Sequence, residues 1–282
     1  MTRSEFDLWL AQTDRRPLVM GVLNVTPDSF SDGGRFAAVE SATAQAEKLA
    51  ADGADLIDIG GESTRPGAQR VEADEQIRRI LPVLEATVKR LPVVWSVDTR
   101  SSQVAAAAID AGASVINDIS GGRDDPEMLR LASQRRLAII LMHMQGEPGT
   151  MQVNPHYKNV IEEVKAFFIE RMAAAKSAGV NAEHVLLDPG IGFGKNVNHN
   201  LTLIREMKRF KELGRPLVIG TSRKGFIGTI SGEPQPNQRL MGTAATVAWS
   251  IANGADIVRV HDVEAMLKVV RVIGAIQRGV DP

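Results

Sequence analysis

The chain has 282 residues, 44% hydrophobic and 24% charged, with a formal net charge of -1; this is enough for one α/β barrel of about 250 residues, and it excludes a strong electrostatic footprint for nucleic acid or an anionic membrane. It has no cysteine, which excludes disulfides, thiolate zinc sites and a cysteine nucleophile and fits a reducing compartment. The opening MTRSEFDLWLAQTDRRP is charged throughout, and no later run approaches the roughly 18 apolar residues of a spanning helix, so the expected location is the cytoplasm.

In chain order, the residues up to Arg16 read as an N-terminal extension, peripheral to the fold. Eight short runs rich in Val, Ile and Leu follow: PLVMGVLNV, ADLIDIGG, PVVWSVDT, SVINDIS, AIILMHM, HVLLDPG, PLVIGTS and DIVRVHD. Between them, segments such as EADEQIRRILPVLEATVKR bring apolar residues back every three or four positions, the spacing of an amphipathic helix. Strands separated by helices predict a parallel sheet. A weak repeat, DGADLIDI, AGASVIND and NGADIVRV, sets Gly53, Gly112 and Gly254 where a helix would stop in a left-handed cap. No linker divides the chain. The predicted fold is therefore α/β, a single (β/α)8 TIM barrel over residues 1–282, with an open doubly wound sheet as the alternative.

Polar residues gather at the strand ends. They are Asn24, the stretch Gly61–Gly67 with Thr64, Arg65 and Pro66, then Asp98, Asn117, Asp118, His143, Asp188, Ser222, Arg223, Lys224, Arg259 and His261. In a barrel these ends form one rim over one cavity. Singly, each has a plainer explanation: an Asp after a strand caps a turn, His143 is a satisfied core histidine, and the cations form a solvated rim. The joint pattern over eight strands favours a site. Arg223, Lys224, Arg259 and His261 would serve a phosphate or pyrophosphate, and the carboxylates and amides of strands 3, 4 and 6 a donor-rich heterocycle. The loops TPDSFSDGGRF and GESTRPGAQR suit closure over a ligand, whereas GFGKN lacks the full phosphate-loop pattern.

The stretches GVLNVTPDSFSDGG and GGESTRPGA, followed in order by SVDT, NDI, LMHMQG, LLDPGIGFGKN, TSRK and RVHD, resemble dihydropteroate synthases from about Leu18 to about Ala275. The resemblance implies a barrel that condenses 6-hydroxymethyl-7,8-dihydropterin pyrophosphate with p-aminobenzoate to 7,8-dihydropteroate and pyrophosphate. It implies a pterin floor of Asp98, Asn117, Asp188 and Lys224, and Met142 as a further substrate-binding residue. It places the pyrophosphate on Asn24, Arg65, Arg259 and His261, and magnesium on Asn24 near Asp32. The aminobenzoate would lie against Phe30, Pro66 and Phe193, its carboxylate near Ser222 or the N-terminus of the helix after strand 7, with Thr64 a further substrate-binding residue. Asn24, Asp32, Arg65, Asp98 and Lys224 are the implied catalytic set, with no general base. Gly225 departs from relatives that often carry a side chain there. A homodimer is also implied, and the helix containing AATVAWSI has apolar residues for an interface or for the core. Two rival readings are a pterin-binding methyltransferase domain, which has no use for a pyrophosphate site, and a catalytically silent relative, which would be expected to lose floor residues.

Overall fold

The structure, a computed structural model, describes residues 1–26, 34–65 and 67–279, with residues 34–37 in backbone only. Eight strands follow in chain order: β1 (Leu18–Asn24), β2 (Leu56–Gly60), β3 (Val94–Asp98), β4 (Val115–Asp118), β5 (Ala138–Met142), β6 (Val185–Asp188), β7 (Val218–Ile219) and β8 (Ile257–Val260). All their ladders are parallel, in the order β6-β5-β4-β3-β2-β1-β8-β7. A bridge between Leu187 and Leu217, with the Leu187 N–H donating to the Pro216 carbonyl at 3.0 Å, joins β6 to β7 and closes the ring. The (β/α)8 barrel replaces the open-sheet alternative.

The helices are α1 (Arg3–Ala11), α2 (Gly34–Ala51), α3 (Ala73–Thr87), α4 (Ser102–Asp110), α5 (Glu127–Gln134), α6 (Val160–Ser177), α7 (Val197–Arg205), α8 (Lys208–Lys211), α9 (Gly225–Ser231), α10 (Leu240–Ala252) and α11 (Val263–Arg278). Capping chemistry starts several of them. Asn159 accepts from the Ile161 and Glu162 N–H groups at α6, and Asn196 forms a capping box with His199 at α7. The repeat glycines have positive φ, as the cap reading requires: +94° at Gly53, +113° at Gly112 and +100° at Gly254. At Gly112 a Cβ would also fall 2.5 Å from a Val88 methyl.

Side chains alternate across each strand, so every second residue enters the barrel. Val19, Leu23, Ile57, Ile59, Trp95, Val97, Ile116, Ile139, Leu141, Val258 and Val260 face outward and pack under the helices. The opposite parity sorts the interior into layers. Leu18, Met20, Leu56, Val94, Val115, Ala138, Ile140, Leu186, Val218 and Ile257 form an apolar lower layer.

That layer also takes in Phe6, Trp9 and Leu10 of α1, which are 1–3% exposed. The extension is thus not peripheral. Its helix begins in a capping box of Thr2 and Glu5, the Phe6 and Trp9 rings stack at 5.6 Å, and the Trp9 indole N–H donates to the Arg16 carbonyl at 2.8 Å. A barrel exposes its lowest apolar residues at the N-terminal mouth, and α1 covers them.

Candidate active site

Beyond the apolar layer, the same inward parity delivers polar and ionisable groups. On β2 it passes from Leu56 to Asp58, on β3 from Val94 to Ser96 and Asp98, and on β4 from Val115 to Asn117. On β6 it reaches Asp188, and on β8 it passes from Ile257 to Arg259. Register sets Asp58 beside Ser96, and Asp98 between Gly60 and Asn117. Gly60 leaves room there, since a Cβ on it would stand 3.3 Å from the Asp98 Cβ.

Asp58, with no exposed surface, is the hub. Its Oδ1 accepts from the Ser96 hydroxyl at 2.6 Å, and its Oδ2 accepts from Asn117 Nδ2 at 2.9 Å and Arg259 Nε at 2.7 Å. Arg259 Nη2 reaches Asp98 Oδ2 at 2.8 Å. The guanidinium is therefore fixed by two carboxylates, a geometry in which charge-assisted bonds add orientation as well as energy.

Electrostatics follow from burial. Burial pushes Asp98 up while Arg259 draws it down. Asp188 is raised to about 6 by burial, against the Gly190 N–H bonded to its Oδ1 at 2.7 Å and the fields of Lys224 and Arg259. Lys224 is lowered to about 8 by burial and Arg259, with Asp188 and Asp98 opposing. For Arg259 the two aspartates outweigh burial and the net direction is upward. Lys224 Nζ lies 4.2 Å from the Phe193 ring centre, a cation–π contact.

The structure brings together Asp98, Asn117, Asp188, Lys224, Phe193 and Arg259 through these contacts. Ser222 joins them from the end of β7, its hydroxyl 3.0 Å from His261 Nδ1. Met142, Ile119, Met144 and Met151 form an apolar cluster against which Phe193 packs. Asn24 is half-buried at the end of β1, Thr64 is half-buried and Arg65 exposed on the β2 loop. Asp32, Phe30 and Pro66 lie outside the described residues.

Three groups differ from the sequence reading. Arg223, grouped there with the phosphate cations, has φ +59° and turns its guanidinium to Asp262, with Nε at 3.0 Å and Nη2 at 2.5 Å. His261 is not a cation in this state, because burial, Arg259 and Arg223 lower it to about 3. Asp118 faces away from the interior and accepts from the Ser120 N–H, the Ser120 hydroxyl and the Gly122 N–H, all within 2.9 Å, so it builds a turn. His143 takes its plainer role: it is buried, neutral, and set edge-on to Phe167 with ring centres 4.9 Å apart.

Sequence reasoning missed Asp58, Ser96 and Lys195. The signal for the first two was parity, since each stands two residues before an inward-facing strand end. Lys195 sits in the GFGKN turn, which lacks the phosphate-loop pattern and so carries no signal of its own.

The sequence profile of the family described as pterin binding enzyme matches residues 20–261. A dihydropteroate synthase of Synechocystis sp. is 48% identical over 264 residues, covering 94% of this chain and 91% of that protein. The structure of Xanthomonas albilineans dihydropteroate synthase with 4-aminobenzoic acid is similar at a TM-score of 0.88 and 45% identity, over 93% of this chain and 94% of that one. The same enzyme in complex with 7,8-dihydropteroate gives 0.86 and 42%, over 95% of each chain. The chain belongs to the pterin-binding enzyme family and, within it, to the dihydropteroate synthases.

Proposed function

We propose that the chain condenses 6-hydroxymethyl-7,8-dihydropterin pyrophosphate with p-aminobenzoate, giving 7,8-dihydropteroate and pyrophosphate. The observation that carries this reading is the Asp58-centred network, which holds a heterocycle floor and an anion-binding arginine in one rigid unit. In the reaction the bond from the pterin methylene to the pyrophosphate oxygen breaks, a bond to the arylamine nitrogen forms, and the amine gives up a proton. Asp188 and Asn117 suit the donors of the pyrimidinone edge, and Lys224 its carbonyl. Arg259 commits Nε and one Nη to carboxylates, which leaves its other Nη for a pyrophosphate oxygen. The acidic floor favours positive charge building on the methylene, while Arg259 favours negative charge on the leaving group. The arylamine is nucleophilic without a strong base. Phe193 and Met142 supply an apolar wall for the aromatic substrate, near Ser222 and with Arg65 and Thr64 on the adjoining loop.

Magnesium fits the donor chemistry at the rim. Among the described residues there is no group of three or more acidic or imidazole side chains able to cage a metal. The amide oxygen of Asn24 is a hard single donor, which suits an ion that keeps its waters and takes further oxygens from a substrate's phosphates. Held there, magnesium would offset charge on the leaving pyrophosphate. A homodimer is part of the same reading, supported by exposed Met241 and Trp249 on α10 and Val272 and Ile276 on the neighbouring α11. No helix among the described residues is long and apolar enough to cross a membrane.

The test is to supply the pterin pyrophosphate, p-aminobenzoate and magnesium and to follow dihydropteroate together with pyrophosphate. Product that requires all three and disappears in Asp188→Ala and Arg259→Ala supports the reading; tight pterin binding without turnover in the parent protein overturns it.

A further inference from the structure

The turn after β6 contains a buried lysine that the proposed reaction does not use. Lys195 is 2% exposed, and its Nζ lies 3.0 Å from His143 Nδ1, 3.3 Å from the His143 carbonyl and 2.9 Å from the Phe193 carbonyl. Three acceptors match the three hydrogens of an ammonium, whereas a neutral amine could serve only two. His143 can accept because it is neutral: burial, Lys195 and Arg123 hold it down at about 2. The turn is clamped elsewhere too. Tyr157 donates to the Gly194 carbonyl at 2.9 Å, and Asn200 Oδ1 accepts from the Gly192 N–H at 2.7 Å. Gly192 and Gly194 have φ of +83° and +62°, and a Cβ on Gly194 would fall 2.3 Å from the Gln145 carbonyl oxygen, so the turn packs tightly under its clamps.

This turn joins Asp188 to Phe193, two groups assigned to substrate. Buried charge around the floor also points to Lys195. Arg259 is shared between Asp58 and Asp98, and the fields of Glu62 and Asp118 add further negative charge at Asp98. Three cations act on Asp188, namely Lys224, Arg259 and Lys195, alongside the Gly190 N–H bond. Conversely, Lys195 is drawn down by burial to about 7, with Asp188 opposing and Lys224 adding to the fall. A buried carboxylate left short of a counter-charge protonates instead.

We propose that Lys195 is a positioning residue for the pterin site: its ammonium locks the turn that runs from Asp188 to Phe193 and adds a buried positive charge to the floor that holds Asp188. The role rests on the pterin reading of this site. Removing the charge raises the Asp188 pKa, so the carboxylate that accepts the pterin's donors is lost at a higher pH than in the parent protein. The acidic limb of pterin binding moves upward, and each unit of movement weakens binding about tenfold below the limb.

The experiment measures the dissociation constant of 6-hydroxymethyl-7,8-dihydropterin by calorimetry from pH 5 to 9 in the parent and in Lys195→Met, with circular dichroism to confirm folding. An acidic limb displaced upward, with affinity recovered toward pH 9, is expected. A folded variant with weaker binding but an unmoved limb overturns the electrostatic role and leaves only scaffolding. Should Lys195→Met not fold, Lys195→Gln keeps donors for the two carbonyls without the charge, and the same two outcomes apply. A parent protein that binds no pterin at any pH overturns the pterin reading, and this role with it.

Discussion

Asp58 shows what a single interior carboxylate does in a site of this kind. It touches no substrate in the proposed reaction, yet Ser96, Asn117 and Arg259 all take their positions from it. Asp58→Ala should cost more than a surface ion pair, because it leaves Arg259 and Asn117 inside the barrel short of an acceptor. The expected result is a fall of roughly 10²–10³-fold in kcat, together with a lowered melting temperature; a variant with parental kinetics would remove Asp58 from the machinery. His261 supports a proton-linked prediction. Since it is neutral near pH 6, an incoming anion should raise its pKa, and pyrophosphate binding should then take up protons. Calorimetry in buffers of different ionisation heat would detect this, and the uptake should shrink in His261→Gln. Asp58 was hard to read from the sequence because LIDIG looks like a buried strand with one polar interruption, while attention falls on strand ends. Asp98 and Asp188 were easier, being the last residues of their strands.

At the scale of elements, strand order and helix alternation were legible because each β/α unit writes its own local pattern. The role of α1 was not. RSEFDLWLA buries three apolar residues, Phe6, Trp9 and Leu10, from a charged helix, and nothing local says that they meet a layer contributed by all eight strands. Trp9→Ala should therefore destabilise the barrel by about 3–5 kcal/mol, read as a drop in melting temperature, with KM values near parental because the rim lies at the opposite mouth. A loss of activity without loss of stability would contradict that placement. Arg223 turns away from the interior for another element-level reason. Sequence adjacency to Lys224 grouped the two, but the left-handed backbone at Arg223 sends its side chain to Asp262, before α11, rather than into the interior.

For the whole molecule, the exposed apolar residues of α10 and α11 set a quaternary expectation. Met241 is 77% exposed and Trp249 52%, and a second copy covering them would remove that surface from water. Light scattering should find a dimer, and Met241→Glu with Trp249→Glu should give a folded monomer; a parent protein that is monomeric at micromolar concentration would remove the interface. The bond from Arg259 to Asp58 spans 201 positions of the chain, and that to Asp98 spans 161. During translation, then, the acidic strands leave the ribosome long before the arginine that neutralises them has been made. Until β8 is synthesised and slots beside β1, a nascent barrel lacks the guanidinium that pairs with both aspartates. Stalled or clipped chains should consequently be recognisably defective, open beside β1 and ready for capture by chaperones or proteases, so that only completed polypeptides acquire a pterin floor.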